Sequence, residues 1–441
     1  MQYVRRTYSQ IICGIMATVV LVAMTACAAR ADWPQWGGPE RDFTVHTSGL
    51  AEVWPESGPR RLWERELGDG YSSVVAENGV LYTMYREGEM YDAEYTIAMD
   101  AKTGKTIWEQ KHASPVPEGG QRYPGPNTTP LLAGDQLYAI GRNAVVYCYD
   151  KKDGKVRWTH DLVAELGAVV PGWGYSSSPI LYKNTVIAAV GTEPYHDGEA
   201  SEQEESTGAG EQTPARKNSL IAFERISGAV AWKSQDFKFR FSSPIVIRHG
   251  GKDQLIVLPQ EKIVSIDPKD GALLWGHDLE DEEWHMTTPL WNGEDLLFSG
   301  SGHTGRVIQL TGGGGKTVPR ELWASKKVGL GIGTPVRLGN LVVAPKGGRS
   351  SLLVGVDLRT GERKWVQRGF GQATLVYGDG KIILLDEQGR LALASATLDG
   401  LTLHSQWQVP EWSGQTFTAP TLVDRVLYVR DRQRLMAFDL G

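Results

Sequence analysis

Short apolar runs recur along the chain, each opened by a small-polar group and closed by a Gly, Asn or Asp turn. The openings include Thr128-Thr129-Pro130, Ser176-Ser177-Ser178-Pro179, Ser242-Ser243-Pro244 and Thr287-Thr288-Pro289. Turns such as Asn78-Gly79 before Val80-Leu81-Tyr82, and Gly339-Asn340 before Leu341-Val342-Val343, then lead into a second apolar run. Runs of about four to six residues bounded in this way predict β-strands paired as hairpins.

The hairpins belong to a longer repeat. Asp100 to Gly104 to Trp108 has the same offsets as Asp150 to Gly154 to Trp158, Asp267 to Gly271 to Trp275, and Asp357 to Gly361 to Trp365. Glu224, Gly228 and Trp232 form a copy with Glu for Asp, degenerate copies end at Trp323 and Trp407, and an isolated one ends at Trp63. Successive Trp of this set are 45, 50, 74, 43, 48, 42 and 42 residues apart. A period of about 40–50 residues is that of a four-stranded propeller blade. In each copy the Asp carboxylate can accept from turn N–H groups, and Gly supplies the positive φ that closes the turn. The Trp then falls on the outermost strand, where its flat ring can wedge against the neighbouring blade.

Eight such units can be counted, and the ends of the chain complete one another. The last unit runs through Val426-Leu427-Tyr428-Val429 and Met436-Ala437-Phe438-Asp439 and has no Trp after Asp439, whereas Leu62-Trp63 is an outer strand lacking the inner three. The predicted fold is all-β: one eight-bladed propeller of four-stranded antiparallel blades over 62–441, closed by N- and C-terminal strands sharing a blade. Residues 32–61 form a strap before it. Closure of this kind leaves no open edge at the join.

Composition narrows the function classes. The 52 Gly exclude a long helical bundle, and 41% apolar content with 15 Trp excludes a disordered chain. The net charge is −6, and −9 from Asp32 onward, which argues against a nucleic-acid partner. Met1–Arg6 is a basic head, followed by the uncharged run Ile11–Ala26, which is a secretory signal pattern too short for a membrane span. Two exits are open: Ala29-Arg30-Ala31 would end a signal at 31 and release Asp32, while Met24-Thr25-Ala26-Cys27 would end it at 26 and leave Cys27 to carry a lipid. Either exit predicts an exported protein, periplasmic, extracellular or membrane-anchored. No other segment is apolar enough to span a bilayer. Beyond the signal only Cys148 remains, within Val145-Val146-Tyr147-Cys148-Tyr149, which reads as a buried, inert thiol.

The A-x-D-x-x-T-G-x-x-x-W repeat, with the opening Asp32-Trp33-Pro34-Gln35-Trp36-Gly37-Gly38-Pro39, resembles the pyrroloquinoline-quinone (PQQ)-like propellers. That superfamily includes quinoprotein alcohol dehydrogenases and the non-enzymatic propeller lipoprotein of the outer-membrane β-barrel assembly machinery. In the dehydrogenases, the resemblance implies PQQ held between a Trp floor and a disulfide of adjacent Cys, with Ca²⁺ and an Asp base. Adjacent Cys are absent here, as are a Cys-x-x-Cys-His haem site and a carboxylate set for Ca²⁺. The expectation is a protein without cofactor or metal, PQQ with Ca²⁺ belonging only to the dehydrogenase alternative.

Loops entering each innermost strand share a face with those joining the second and third strands. That face gathers Tyr71, Arg122, Tyr123, Asn127, Trp173 and Tyr175 from the first half of the chain. Arg240, Phe241, Trp284, His285, Gln372, Trp412 and Gln415 follow from the second. Converging aromatic, amide and cationic groups at a funnel mouth suit a polar ligand or a peptide. Two acidic insertions fall on the same face: 191–217, with seven acids between Glu193 and Glu211, and Arg86–Glu94. The leading expectation is a monomeric, non-catalytic binding or scaffold propeller, with outer-membrane protein assembly as one version. The alternatives are a PQQ-dependent alcohol or sugar dehydrogenase and a polysaccharide or cell-surface binding module.

Overall fold

Strand pairing closes the chain into a ring. The computed structural model describes residues 32–441 except 89–91, 117–123, 192–217, 240, 281–284, 303, 314 and 347–351. Both predicted signal exits, most of the 191–217 insertion, and Arg122, Tyr123, Arg240 and Trp284 therefore lie outside the described residues. Eight sheets are present. Blade one comprises Val75–Glu77, Val80–Glu87, Ala93–Asp100 and Thr106–Ala113, taken from the innermost strand outward, and blades two to seven follow in chain order. Blade eight is built from Thr421–Val423, Val426–Arg430 and Arg434–Asp439, completed by Arg60–Glu66 from the other end of the chain. Trp63 pairs with Ala437 and Arg61 with Phe438, as the sequence predicts for closure. The departures from β-structure include a five-residue helix, Leu162–Leu166, capped by Asp161. No helix of the described residues is long and apolar enough to cross a membrane.

Burial explains the patterning. Second and third strands are sandwiched between neighbouring blades and bury nearly every residue, as in Gln136–Ile140 and Lys381–Leu385. Outer strands alternate instead, Arg363–Arg368 being exposed and half-buried in turn.

The repeat motif acts at the seams between blades. Asp100 Oδ1 accepts from the N–H groups of Lys102 and Thr103 at 3.1 and 2.9 Å, and Asp357 holds Arg359 and Thr360 at 2.9 Å. The turn glycines Gly104, Gly154, Gly228, Gly271 and Gly361 have φ between 68° and 78°. Each also lies under the indole of the preceding blade: a Cβ on Gly104 would come within 2.8 Å of Trp63, on Gly154 within 2.6 Å of Trp108, and on Gly361 within 2.5 Å of Trp323. The indole N–H reaches on to the carbonyl next to the motif Asp or Glu of that following blade. Trp63 donates to Ala101 O (3.0 Å), Trp108 to Lys151 O (2.8 Å), Trp158 to Arg225 O (3.2 Å) and Trp323 to Leu358 O (2.8 Å). Blade four departs from this: Trp275 donates to Gln254 Oε1 within its own blade (2.7 Å), and Gln254 Nε2 passes the link to Thr317 of blade five (2.8 Å).

At the join the turn itself is divided. Asp439 stands at the C-terminal end, where it accepts from Arg60 (2.7 Å). Gly58, at φ +81°, supplies the glycine under Trp407 from the N-terminal segment.

The small-polar openings have a role the sequence did not disclose. Their hydroxyls are buried and tie one blade's backbone to the next. Thr129 Oγ1 accepts from Ser73 N, Ser178 Oγ from Thr129 N, and Ser243 Oγ from Ser178 N, at 2.9 to 3.2 Å. Thr421 Oγ1 donates to Val74 O (2.6 Å), continuing the lacing across the closed blade.

The strap crosses the face that carries the first-to-second-strand turns. Trp33 pairs with Ala76 of blade one, and Leu132 N of blade two donates to Pro34 O. Arg41 donates to Pro179 O of blade three (3.0 Å), and Trp36 Nε1 to Thr288 Oγ1 of blade five (2.7 Å). Thr44–Val45 adds a parallel strand inside blade seven. Residues 35–43 thus plug the channel from that face. Buried among carbonyls, the Arg41 guanidinium has its pKa pushed down to about 9. One expectation is corrected: Arg86–Glu94 is no insertion, because Arg86 pairs with Glu94 and Glu87 with Ala93, extending the hairpin.

Gly361→Ala is expected to cost about 2–4 kcal/mol, combining left-handed strain with a clash on Trp323. Gly339→Ala, at φ +61° with nothing near its Cβ, carries the strain alone, about 1–2 kcal/mol. Urea unfolding of both variants checks the difference; equal costs would refute the glycine–indole contact.

Candidate functional site

The face opposite the strap's entry is bordered by the loops that enter the innermost strands. Seven of the thirteen predicted residues gather there in three groups around the rim.

In the first group, between blades eight and one, Tyr71 stacks on Phe417 with ring centres 6.2 Å apart and planes 26° apart. The Arg432 guanidinium lies 6.0 Å from the centre of the Tyr71 ring. Arg432 is itself paired with Asp69, Nε donating at 2.9 Å. Such a stacked cation joins aromatic area to charge in one surface.

The second group spans the loops between blades one and four. Trp173 and Phe241 stack at 5.6 Å and 19°, and Asn127 Nδ2 donates to Trp173 O at 2.8 Å. All three side chains are partly exposed.

The third group surrounds Glu387. Its carboxylate accepts from Gln372 N (2.7 Å), and its carbonyl accepts from Trp412 Nε1 (3.3 Å). Gln372 Oε1 accepts from Ile332 N (2.8 Å), linking the loop before blade six to the loop before blade seven. Trp412 rests on Gly389, and Gln415 is exposed.

Two predicted residues sit inside the protein. Tyr175 is buried and donates to Ala189 O at 2.9 Å, packing with Ile140, Leu166 and Val190. His285 is also buried; burial pushes its pKa down to about 4, against the pull of a hydrogen bond to the Gly300 carbonyl. Neither meets solvent, so neither can meet a ligand without rearrangement.

The sequence reading missed what holds the mouth still. Arg430, Arg86 and Arg142 occupy the end of the second strand, or just past it, in blades eight, one and two, and all are buried. Each pins the loop leading to the next blade. Arg430 donates to Gly68 O (2.9 Å) and Ser72 O (3.0 Å), Arg86 to Ser114 Oγ (3.0 Å), and Arg142 to Gly172 O (2.8 Å). Glu94 joins two of them, pairing with Arg86 (2.9 Å) and accepting from Arg142 N (3.0 Å). Burial lowers the pKa of Arg430 to about 10 and that of Arg142 as well, the Arg86 charge adding to the second shift. The signal in sequence is an apolar strand that ends in Arg, which single-strand patterning reads as a solvated end.

Among the described residues, no cluster of His, Cys, Asp and Glu could hold a metal ion. Burial pushes the Cys148 thiol up to about 12. The arrangement offers recognition surfaces: stacked aromatics, amides and one stacked cation on loops fixed by buried guanidinium groups.

Comparison with known proteins adds the following. A family model described as outer membrane protein assembly factor BamB matches residues 92–296 and 294–441, well over half of the chain. A 93-residue stretch is 30% identical to the outer membrane protein assembly factor BamB of Kangiella koreensis; it spans 21% of this chain and only 22% of that relative's length. The fold is similar to that of BamB from Moraxella catarrhalis, with a TM-score of 0.59 and 14% identity over 86% of this chain and 97% of that one. It is also similar to the quinohemoprotein alcohol dehydrogenase from Comamonas testosteroni, with a TM-score of 0.66 and 11% identity over 93% and 81%. At those identities the structural likenesses speak for the fold alone.

His285 generates a test of the buried assignment. With its pKa near 4 in the folded protein, the unfolded chain binds a proton between about pH 6.5 and 4 that the folded chain does not. Its contribution therefore falls as pH drops through that window, by about 3 kcal/mol at the limit. His285→Gln should flatten the pH dependence of the urea midpoint over that range. Equal slopes for variant and parent would place the imidazole in solvent.

Proposed function

The chain belongs to the outer membrane protein assembly factor BamB family, and from that membership we propose that it is an exported, non-catalytic scaffold that binds polypeptide during outer-membrane protein assembly. The observation supporting a binding role is the rim: Trp173 on Phe241 and Tyr71 on Phe417 are partly exposed stacked pairs on loops anchored from below. Aromatic pairs give large contact area at low ordering cost, which suits a ligand of variable sequence. Buried arginines keep the loops in place before the ligand arrives, so less binding energy is lost to ordering them.

The dehydrogenase reading fits these residues poorly. Cys148 is the one cysteine among the described residues and is buried, and the channel is occupied by Trp36 and Arg41, each bonded to the ring wall. No step through a quinone is derived for this chain.

Two measurements test the reading. Binding of a urea-denatured outer-membrane β-barrel protein, diluted into buffer and followed by fluorescence anisotropy, should weaken about tenfold or more in Trp173→Ala/Tyr71→Ala with the melting temperature nearly unchanged. Unchanged affinity would remove the rim from the binding site. Incubation with PQQ and Ca²⁺ should yield neither a stoichiometric quinone chromophore nor alcohol-dependent dye reduction; finding both would replace the scaffold reading with the enzyme.

A further inference from the structure

Every blade presents an outermost strand with no neighbour beyond it, and backbone donors and acceptors on such an edge can pair with another chain. Natural edges are blunted by charge or proline. Seven of the eight outer strands here follow that rule: Thr106–Ala113 carries Glu109 and Lys111, Val318–Ser325 carries Pro319, Arg320 and Glu321, and the others hold at least one charge. Gly400–Gln408 of blade seven does not. It is the longest of them at nine residues, GLTLHSQWQ, and has no Asp, Glu, Lys, Arg or Pro.

We propose that this edge takes an added β-strand from an extended, charge-poor polypeptide segment. The inference rests on the polypeptide-binding reading above and names a second contact for the same class of ligand. Length and charge point to the occupant: a strand that spans a membrane in a β-barrel is about 9–11 residues long, alternating apolar and polar. The strand's sequence alternates likewise, Leu401 and Leu403 with Thr402 and His404, and Leu403 is 40% exposed. With no fixed charge on the strand, the edge offers a charged guest no cross-strand ion pair, so a charge-poor guest loses nothing by comparison. The edge is also preformed. Trp365 Nε1 donates to Thr397 O (2.9 Å) at its hairpin, and Trp407 is seated over Gly58. A bulge at His404, between Leu403 opposite Ala394 and Ser405 opposite Leu393, divides it into two short pairing segments.

The test is hydrogen–deuterium exchange on the full chain with a capped nine-residue peptide alternating Thr with Val and Tyr. Amides of 400–408 should slow about tenfold or more at saturating peptide, and the Thr402→Lys/Gln406→Lys variant, altered only at exposed positions, should lose that protection at unchanged melting temperature. Protection confined to the loops of Trp173 and Phe241 would overturn the edge inference while leaving the polypeptide reading intact. Protection nowhere would overturn both. Protection of 400–408 that grows with protein concentration in the absence of peptide would make a second copy the occupant and end the proposal, as would full binding by the lysine variant.

Discussion

The ring depends on one contact repeated around it: an indole laid on a glycine of the next blade, with its N–H delivered to a carbonyl one turn away. Two separate demands meet on that glycine. The hairpin needs a left-handed residue there, and the neighbouring ring needs the space a Cβ would fill. Gly361 meets both for Trp323, and Gly154 meets both for Trp108. The contact runs from blade to blade through pairs such as Trp108 and Gly154, 46 positions apart, and Trp158 and Gly228, 70 apart. Some seams vary the contact: Gln254 relays it from Trp275, Trp365 reaches Thr397 O with no glycine of the next blade beneath it, Trp232 rests on Gly271 with its N–H unbonded among the described residues, and Gly58 brings the glycine from the far end of the chain to Trp407.

On this rigid frame the two faces of the ring are treated differently. One is crossed by the N-terminal strap, whose Trp36 and Arg41 bond to blades five and three. The other carries loops that touch one another, Trp173 on Phe241 and Ile332 on Gln372, with Tyr71, Trp173 and Phe241 partly exposed. Buried arginines on that side substitute for strand pairing: a guanidinium has enough donors to satisfy several carbonyls of an irregular loop at once, and satisfied buried polar groups make an irregular loop as fixed as a strand. A fixed mouth on a fixed ring presents a surface rather than closing around a ligand. Such a surface suits the scaffold role proposed above.

Fold and family belong to different kinds of observation here. The same ring is found in assembly factors and in dehydrogenases, so ring geometry alone cannot choose between them. In this chain the channel holds bonded plug residues and the rim holds stacked aromatics.

Much of this was legible in the linear chain. Asp-x-x-x-Gly-x-x-x-Trp is local in the chain: the three residues of each copy sit on one hairpin, so their spacing survives in sequence, and counting copies was enough for blade number and for closure through Leu62-Trp63. The rim was legible only as a set of loops. Topology put Tyr71, Trp173 and Gln372 on one face, but their depth depends on what packs over them: Tyr175 went inward among apolar neighbours from other strands, and His285 is buried beside Gly300 and Arg306. Phe417, Arg432 and Glu387 gave no sign, because their partners lie dozens to hundreds of residues away. Sequence by itself determined the elements, their number and the join, since those rest on backbone conformation and on periodic burial. Only the tertiary structure decided which polar residues were pins, which were plugs and which faced solvent, since a side chain's surroundings are made by strands the chain has yet to reach.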